Sequence, residues 1–171
     1  ILTDKYINES QWCVPKSALS GDVVIDRGKI LSDGKPRYDL TVPDGVSPRS
    51  FIGQKGGVYI ANSYEHDEVG HVTEKPEMRV AMAAKRMKKF EAMKKDVRAP
   101  SVYGDPDADA EMTFVTWGST RGPVLEAMKL LNKKSRLIHF SWLYPFPVDA
   151  VMQLLSHATH IIDVEQNATG Q

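Results

Sequence analysis

Three short stretches hold the residue types that could do chemistry. In "GSTRGP", Gly118 to Pro123, an apolar, β-rich run stops at glycine, and two hydroxyls and an arginine follow before helical spacing begins. Gly118 would let the chain turn at the carboxyl end of a strand, Ser119 or Thr120 would cap the helix, and the unpaired amides of its first turn, with Arg121, would attract an anion. A plain strand-to-helix corner needs the same residues, so both readings stand. A dinucleotide cradle does not: the stretch has neither the glycine spacing of that motif nor the lysine of a phosphate-binding loop. The next strand, moreover, ends in Phe140 and Ser141, where an acidic ribose ligand would be wanted.

The second stretch, "EHDEVGH" from Glu65 to His71, concentrates two histidines and three carboxylates. A divalent metal would find donors there, yet the histidines lack the helical spacing of zinc proteases and Gly70 sits between them. His66 among carboxylates could exchange protons near neutrality. The alternative is a polar turn held by its own hydrogen bonds, or an interface made by Glu65, His66, Asp67 and Glu68. The third stretch, Glu165, Gln166 and Asn167, follows the last expected strand at the edge where open α/β sheets bind ligands. A strand-end glutamate can equally partner a helix end or another subunit. "SWLYPFPVDA", Ser141 to Ala150, offers no nucleophile with a base; its prolines stiffen a loop whose aromatics can pack under a neighbour.

The elements that must position these residues follow from periodicity. Strands are expected at 113–117, 136–140 and 160–164, with helices at 120–133 and 148–156 between them. Strands separated by helices of roughly ten residues imply βαβ units, hence an α/β fold with a mostly parallel sheet and helices on both faces. "LIHF" and "HIIDV" lack strict alternation, as strands buried on both sides do. The strongest helix signal is "TEKPEMRVAMAAKRMKKFEAMKKDV": Thr73 can cap, Pro76 and Glu77 suit the first turn, and Met78, Met82, Met87, Phe90 and Met93 return to one side as a core stripe. Its basic residues, Lys85, Arg86, Lys88, Lys89, Lys94 and Lys95, read as a solvated face or a docking face; no aromatics alternate with them to stack bases. Before it, residues 21–54 are rich in Gly, Pro, Asp and Ser, with β-like runs "VVID" and "YDLTV", and form an irregular arm. "GVYIANSYEHDE" suggests a strand at 58–62, and a short helix containing Ile7, Trp12 and Val14 is expected from Lys5, with Pro15 opposing its continuation. "APSVYGDPDADA" reads as turn.

The 171 residues carry equal numbers of basic and acidic side chains, 22 each, so no overall field draws nucleic acid or an anionic membrane. Cys13 is the single cysteine, which excludes an internal disulfide and a cysteine-cluster metal site and suits the reducing cytoplasm. No apolar run approaches the roughly 20 residues needed to cross a bilayer.

Four segments in order, "EHDEVGHVTEKPEMRVAMAAKRMKKFE", "TWGSTRGPVLEAMKLL", "LYPFPVDAV" and "IIDVEQNATGQ", resemble the alpha subunit of the 2-oxoacid:ferredoxin oxidoreductases, most nearly the 2-oxoglutarate type. The resemblance extends over nearly the whole chain. It implies that residues 1–20 end a pyrimidine-binding thiamine domain, that 21–57 are a linker arm, and that 58–171 are a domain similar to the transketolase C-terminal domain, cut at its C-terminal end. It further implies a whole enzyme with thiamine diphosphate, Mg2+ and an iron-sulfur cluster, a beta subunit and ferredoxin as partners, and a 2-oxoacid and coenzyme A as substrates. Nucleic acid and membrane have no part in it. This chain has no GDG-to-asparagine diphosphate motif, and the glutamate that activates the aminopyrimidine would lie upstream of Ile1. No catalytic or metal-binding residue is therefore carried over to it. The implied task of the segment is assembly, with Glu65 to Glu68 and Gly118 to Arg121 contacting whatever lies beyond the domain. The rival expectation is an autonomous anion- or nucleotide-binding α/β module acting through Ser119, Thr120 and Arg121.

Overall fold

The computed structural model describes residues 3–19, 24–31, 35–105 and 110–170. Ile1 and Leu2 of the expected strand end, and Val23 of the "VVID" run, lie outside these. The chain forms two compact units, one of Ile1–Val14 with Asp96–Gln171 and one of Pro15–Lys95.

The first unit is built on a four-stranded sheet. Strands β1 (Ser101–Gly104), β2 (Met112–Trp117), β3 (Ser135–Phe140) and β4 (Ile161–Asp163) lie in the order β1-β3-β2-β4. β2 runs parallel to β3 and to β4, from Met112 opposite Ser135 to Trp117 opposite Phe140; β1 closes the edge antiparallel to β3. The sheet is thus mostly parallel, as the βαβ spacing requires, with one antiparallel strand in the stretch that reads as turn.

From β2 the chain steps to β3 and then back past β2 to β4, so the connecting helices take opposite faces. α3 (Arg121–Leu130) sets Val124 and Met128 against Phe114 and Leu137. α4 (Val148–Leu155) sets Val151 against Ile138 and Phe140. Every residue of β3 is buried, including Arg136, whose Nε donates to Thr113 Oγ1 at 3.0 Å and whose Nη2 donates to Leu154 O at 2.8 Å, so the charge closes the carboxyl end of α4. A five-residue helix, α1 (Lys5–Glu9), begins where the sequence placed it but ends at an extended Ser10, so Trp12 and Val14, expected within it, lie outside. Asp4 caps it, accepting from the Ile7 amide at 2.8 Å.

In the second unit the one long element is α2 (Pro76–Met93), with Pro76 at the first turn as expected. Lys75 rather than Thr73 takes the cap position and no side chain caps it. Two expectations for this helix change. Met87 of the supposed core stripe is exposed, and Lys85 of the supposed solvated face is buried, its Nζ donating to Gly45 O at 2.9 Å. Gly45 makes that approach feasible: it sits at φ +72, and a Cβ there would lie 2.3 Å from the Lys85 carbonyl. The ammonium is held below its usual range by burial first, then by Lys89 and Arg37. Apart from a 3-10 turn at Lys16–Ala18, the remainder of the unit is irregular among the described residues. The strand expected at 58–62 is not one, since no ladder partner lies beside it and Val58 stands in solvent; "YDLTV" is turn.

Candidate functional site

The carboxyl ends of β2, β3 and β4 open into one cleft of about 760 Å³. Its floor is the loop Gly118–Arg121; Ser141 to Tyr144 and Glu165 to Asn167 form two walls, and Thr3, Asp4 and Ile7 come in from the start of the chain. This is the edge at which ligands bind to open α/β sheets.

Gly118 turns the chain at φ +66, as its position after the strand demands. Residues 118–120 form one 3-10 turn ahead of α3, so the helix starts at Arg121, later than the expected Thr120. Neither hydroxyl caps that helix. Thr120 Oγ1 donates back to Trp117 O at 2.6 Å and meets Thr116 Oγ1, which itself donates to Val164 O. Ser119 donates to the Asp4 carboxylate. The cap expected at Ser119 or Thr120 is therefore replaced by bonds that lock the corner. A carboxylate also occupies the space beside Ser119. That bond, then the Ile7 amide, holds Asp4 below the usual carboxylate range.

Arg121 is exposed at the rim, its Nη1 3.2 Å from the Tyr103 hydroxyl and its guanidinium over the Tyr103 ring. His139 is buried beneath it on β3. Its Nε2 lies 3.0 Å from Gly118 O; a carbonyl only accepts, so Nε2 carries the proton. Burial pushes this imidazole below its ordinary pKa, the Gly118 bond opposes that, and Arg121 adds to it. On the opposite wall Glu165 accepts from the Trp117 indole and from the Gln166 and Asn167 amides. Burial raises this carboxyl, but the indole and the two amides outweigh it and the net shift is downward. The Trp142 indole N–H is buried in the cleft wall with no protein partner.

Neither Ser119 nor His139 is set as one half of a nucleophile–base pair. Ser119 faces a carboxylate instead of an imidazole, and His139 faces a carbonyl. What the cleft offers is an aromatic lining, the rim cation Arg121 and the unspent Trp142 donor. Asp4 escaped sequence reasoning because 115 positions separate it from Ser119; His139 and Trp142 were hidden in stretches that read as core strand and stiff loop.

Glu65, His66, Asp67 and Glu68 lie in the other unit, and their side chains diverge. Glu65 pairs with Arg86, which holds it below the usual carboxylate range. Asp67 Oδ1 accepts from the amides of Val69, Gly70 and His71 at 2.9–3.0 Å, the His66 ring tilts against Tyr38, and Glu68 accepts from the Leu40 amide at 2.9 Å. Gly70, at φ +98, lets the turn press on the Ile60 carbonyl. The carboxylates thus hold the turn. Among the described residues no three His, Cys, Asp or Glu gather as a metal-holding group, and the one cysteine, Cys13, is exposed. A single cysteine cannot supply the thiolate set of an iron-sulfur cluster.

No protein-family model matches the chain. It is 36% identical to a 2-oxoacid:ferredoxin oxidoreductase alpha subunit of Aeropyrum pernix, over 99% of this chain and 27% of that one. It is 35% identical to another from Saccharolobus solfataricus, over 99% of this chain and 28% of that one. The structure resembles a 2-oxoglutarate:ferredoxin oxidoreductase from Magnetococcus marinus with 2-oxoglutarate, coenzyme A and succinyl-CoA bound; the TM-score is 0.70 at 29% identity, over 85% of this chain and 26% of that one. The chain belongs to the 2-oxoacid:ferredoxin oxidoreductase alpha subunits, and it spans about a quarter of the length of the curated relatives it matches.

Proposed function

We propose that the polypeptide carrying this chain is the alpha subunit of a thiamine diphosphate-dependent 2-oxoacid:ferredoxin oxidoreductase of the cytoplasm. Paired with a beta subunit, it would decarboxylate a 2-oxoacid such as 2-oxoglutarate, pass the acyl group to coenzyme A and reduce ferredoxin through an iron-sulfur cluster. The relatedness over 99% of the chain carries this reading. Thiamine diphosphate would supply the electron sink. The residues present here supply support: a sheet with both faces covered, and at its carboxyl edge a cleft without a nucleophile–base pair. The segment serves subunit assembly, and Arg121 with the Trp142 indole lines a path for the anionic coenzyme A. No helix among the described residues is long and apolar enough to cross a membrane.

The test is reconstitution. Full-length alpha with beta subunit should reduce ferredoxin with dependence on 2-oxoacid and coenzyme A, and either subunit alone should not. Arg121→Ala should raise KM for coenzyme A about tenfold, the value of one lost charge-assisted contact, with kcat nearly unchanged. An unchanged KM would remove Arg121 from the path. Saturable coenzyme A binding to the alpha chain alone, abolished by Arg121→Ala, would instead favour the autonomous anion-binding module.

A further inference from the structure

Arg121 stands in solvent at the rim of the cleft, and a long arginine left free there would scatter over many rotamers. Contacts from the edge strand prevent this. Its Nη1 donates to the Tyr103 hydroxyl at 3.2 Å, and its Cζ lies over the Tyr103 ring, 5.7 Å from the centroid. Tyr103 is itself held in place. The β1 ladder sets it opposite Leu137, its half-buried ring packs on the cluster of Phe114, Val124, Met128 and Leu137, and the buried His139 ring meets it edge to face, with centroids 6.4 Å apart.

The chemistry of this tether leaves the cation unspent. Arg86 gives its charge to Glu65, but no carboxylate pairs with Arg121 among the described residues; a ring face and a neutral hydroxyl hold it. The guanidinium is thus oriented yet keeps its full charge, with donors left for an anion. Tyr103 does not line the cleft, so its effect on a bound molecule passes through Arg121. We propose that Tyr103 is a positioning residue: from the edge strand it holds the Arg121 guanidinium at the cleft rim without neutralising it, so that the cation meets the anionic part of coenzyme A in one orientation. This rests on the reading of Arg121 as a coenzyme A contact and adds the residue that makes that contact directional. It also gives β1 a task, since the strand that closes the sheet is the one that carries the tether.

The experiment uses full-length alpha reconstituted with the beta subunit. Tyr103→Phe keeps the ring and removes the acceptor, so it should raise KM for coenzyme A about threefold at wild-type Tm. Tyr103→Leu loses ring and hydroxyl together and should approach the roughly tenfold rise of Arg121→Ala, with kcat and KM for the 2-oxoacid unchanged in both. In the Arg121→Ala background Tyr103→Leu should add nothing, because the two residues act as one unit. A second readout needs no coenzyme A: phenylglyoxal should modify Arg121 about threefold faster in Tyr103→Leu than in wild type, followed by peptide mass spectrometry. An unchanged KM in Arg121→Ala would remove the coenzyme A reading and the positioning role with it. If Arg121→Ala raises KM while both Tyr103 variants keep the wild-type value, or if the double variant is additive, or if the modification rates are equal, the positioning role alone is overturned.

Discussion

His139 sits where protonation is opposed by the fold: it is buried, and the guanidinium of Arg121 lies nearby. Its pKa is lower folded than unfolded, so between its ordinary value near 6.5 and the lower folded value the unfolded chain binds more protons. Stability is therefore full above about pH 6.5 and falls as pH drops through that window, levelling once the folded imidazole is protonated. Asp4 and Glu165 act in a separate window. Their carboxyls are held low in the fold, so what they contribute is present above their ordinary values and is lost only as pH falls below about 4. His139→Gln, which keeps a donor for Gly118 O, should leave the urea midpoint nearly level from about pH 7 to about pH 5, while the wild-type midpoint declines. A wild-type midpoint as level as that of the variant would remove His139 as the cause.

At the scale of elements, the carboxyl-edge cleft depends on a sheet whose outer strand is its least regular part. β1 ends on Gly104 at φ +86, pressed so close to β3 that an added Cβ would stand 2.6 Å from Ser135 O and from Met128 Cε. The methionine end can move and the carbonyl cannot. Gly104→Ala should therefore destabilise by about 2–3 kcal/mol, combining left-handed strain with backbone overlap. Wild-type stability of this variant in denaturant titration would show that β1 can pull away from β3 at no cost. β2 and β3 were legible because their runs lack the alternation of half-exposed strands, and β3 is indeed buried throughout. β4, read the same way, is instead an edge strand with Ile161 and Asp163 exposed. α3 and α4 were legible because their spacing is helical. β1 was not legible: a four-residue antiparallel edge strand, mostly exposed and bordered by Pro100, Gly104 and Asp105, has no periodicity to detect. The run at 58–62 is the converse case, strand-like in composition but without a neighbour to bond. Of the cleft, the loop Gly118–Arg121 and the trio Glu165–Asn167 were legible from their places after strands. Asp4, His139 and Trp142 were not, because their roles come from tertiary closeness.

On the whole-molecule scale, much apolar surface faces water. In the first segment Tyr6, Ile7, Trp12 and Val14 are half to almost fully exposed, Trp12 at 87%, although α1 is capped and ordered in sequence terms as expected. Large exposed apolar groups gathered within one short segment mark an interaction surface, and a chain that spans about a quarter of its relatives' length has such surface to cover. Cys13 stands exposed in the middle of this stretch and can report on it. If the segment is buried on assembly, alkylation of Cys13 by a maleimide should be fast in the unassembled full-length alpha subunit and slower by at least about tenfold once the beta subunit is added. The thiol must then wait for local opening before it reacts. Equal alkylation rates before and after addition of the beta subunit would exclude this segment from the alpha–beta contact and leave its apolar side chains to be covered from within the alpha subunit itself.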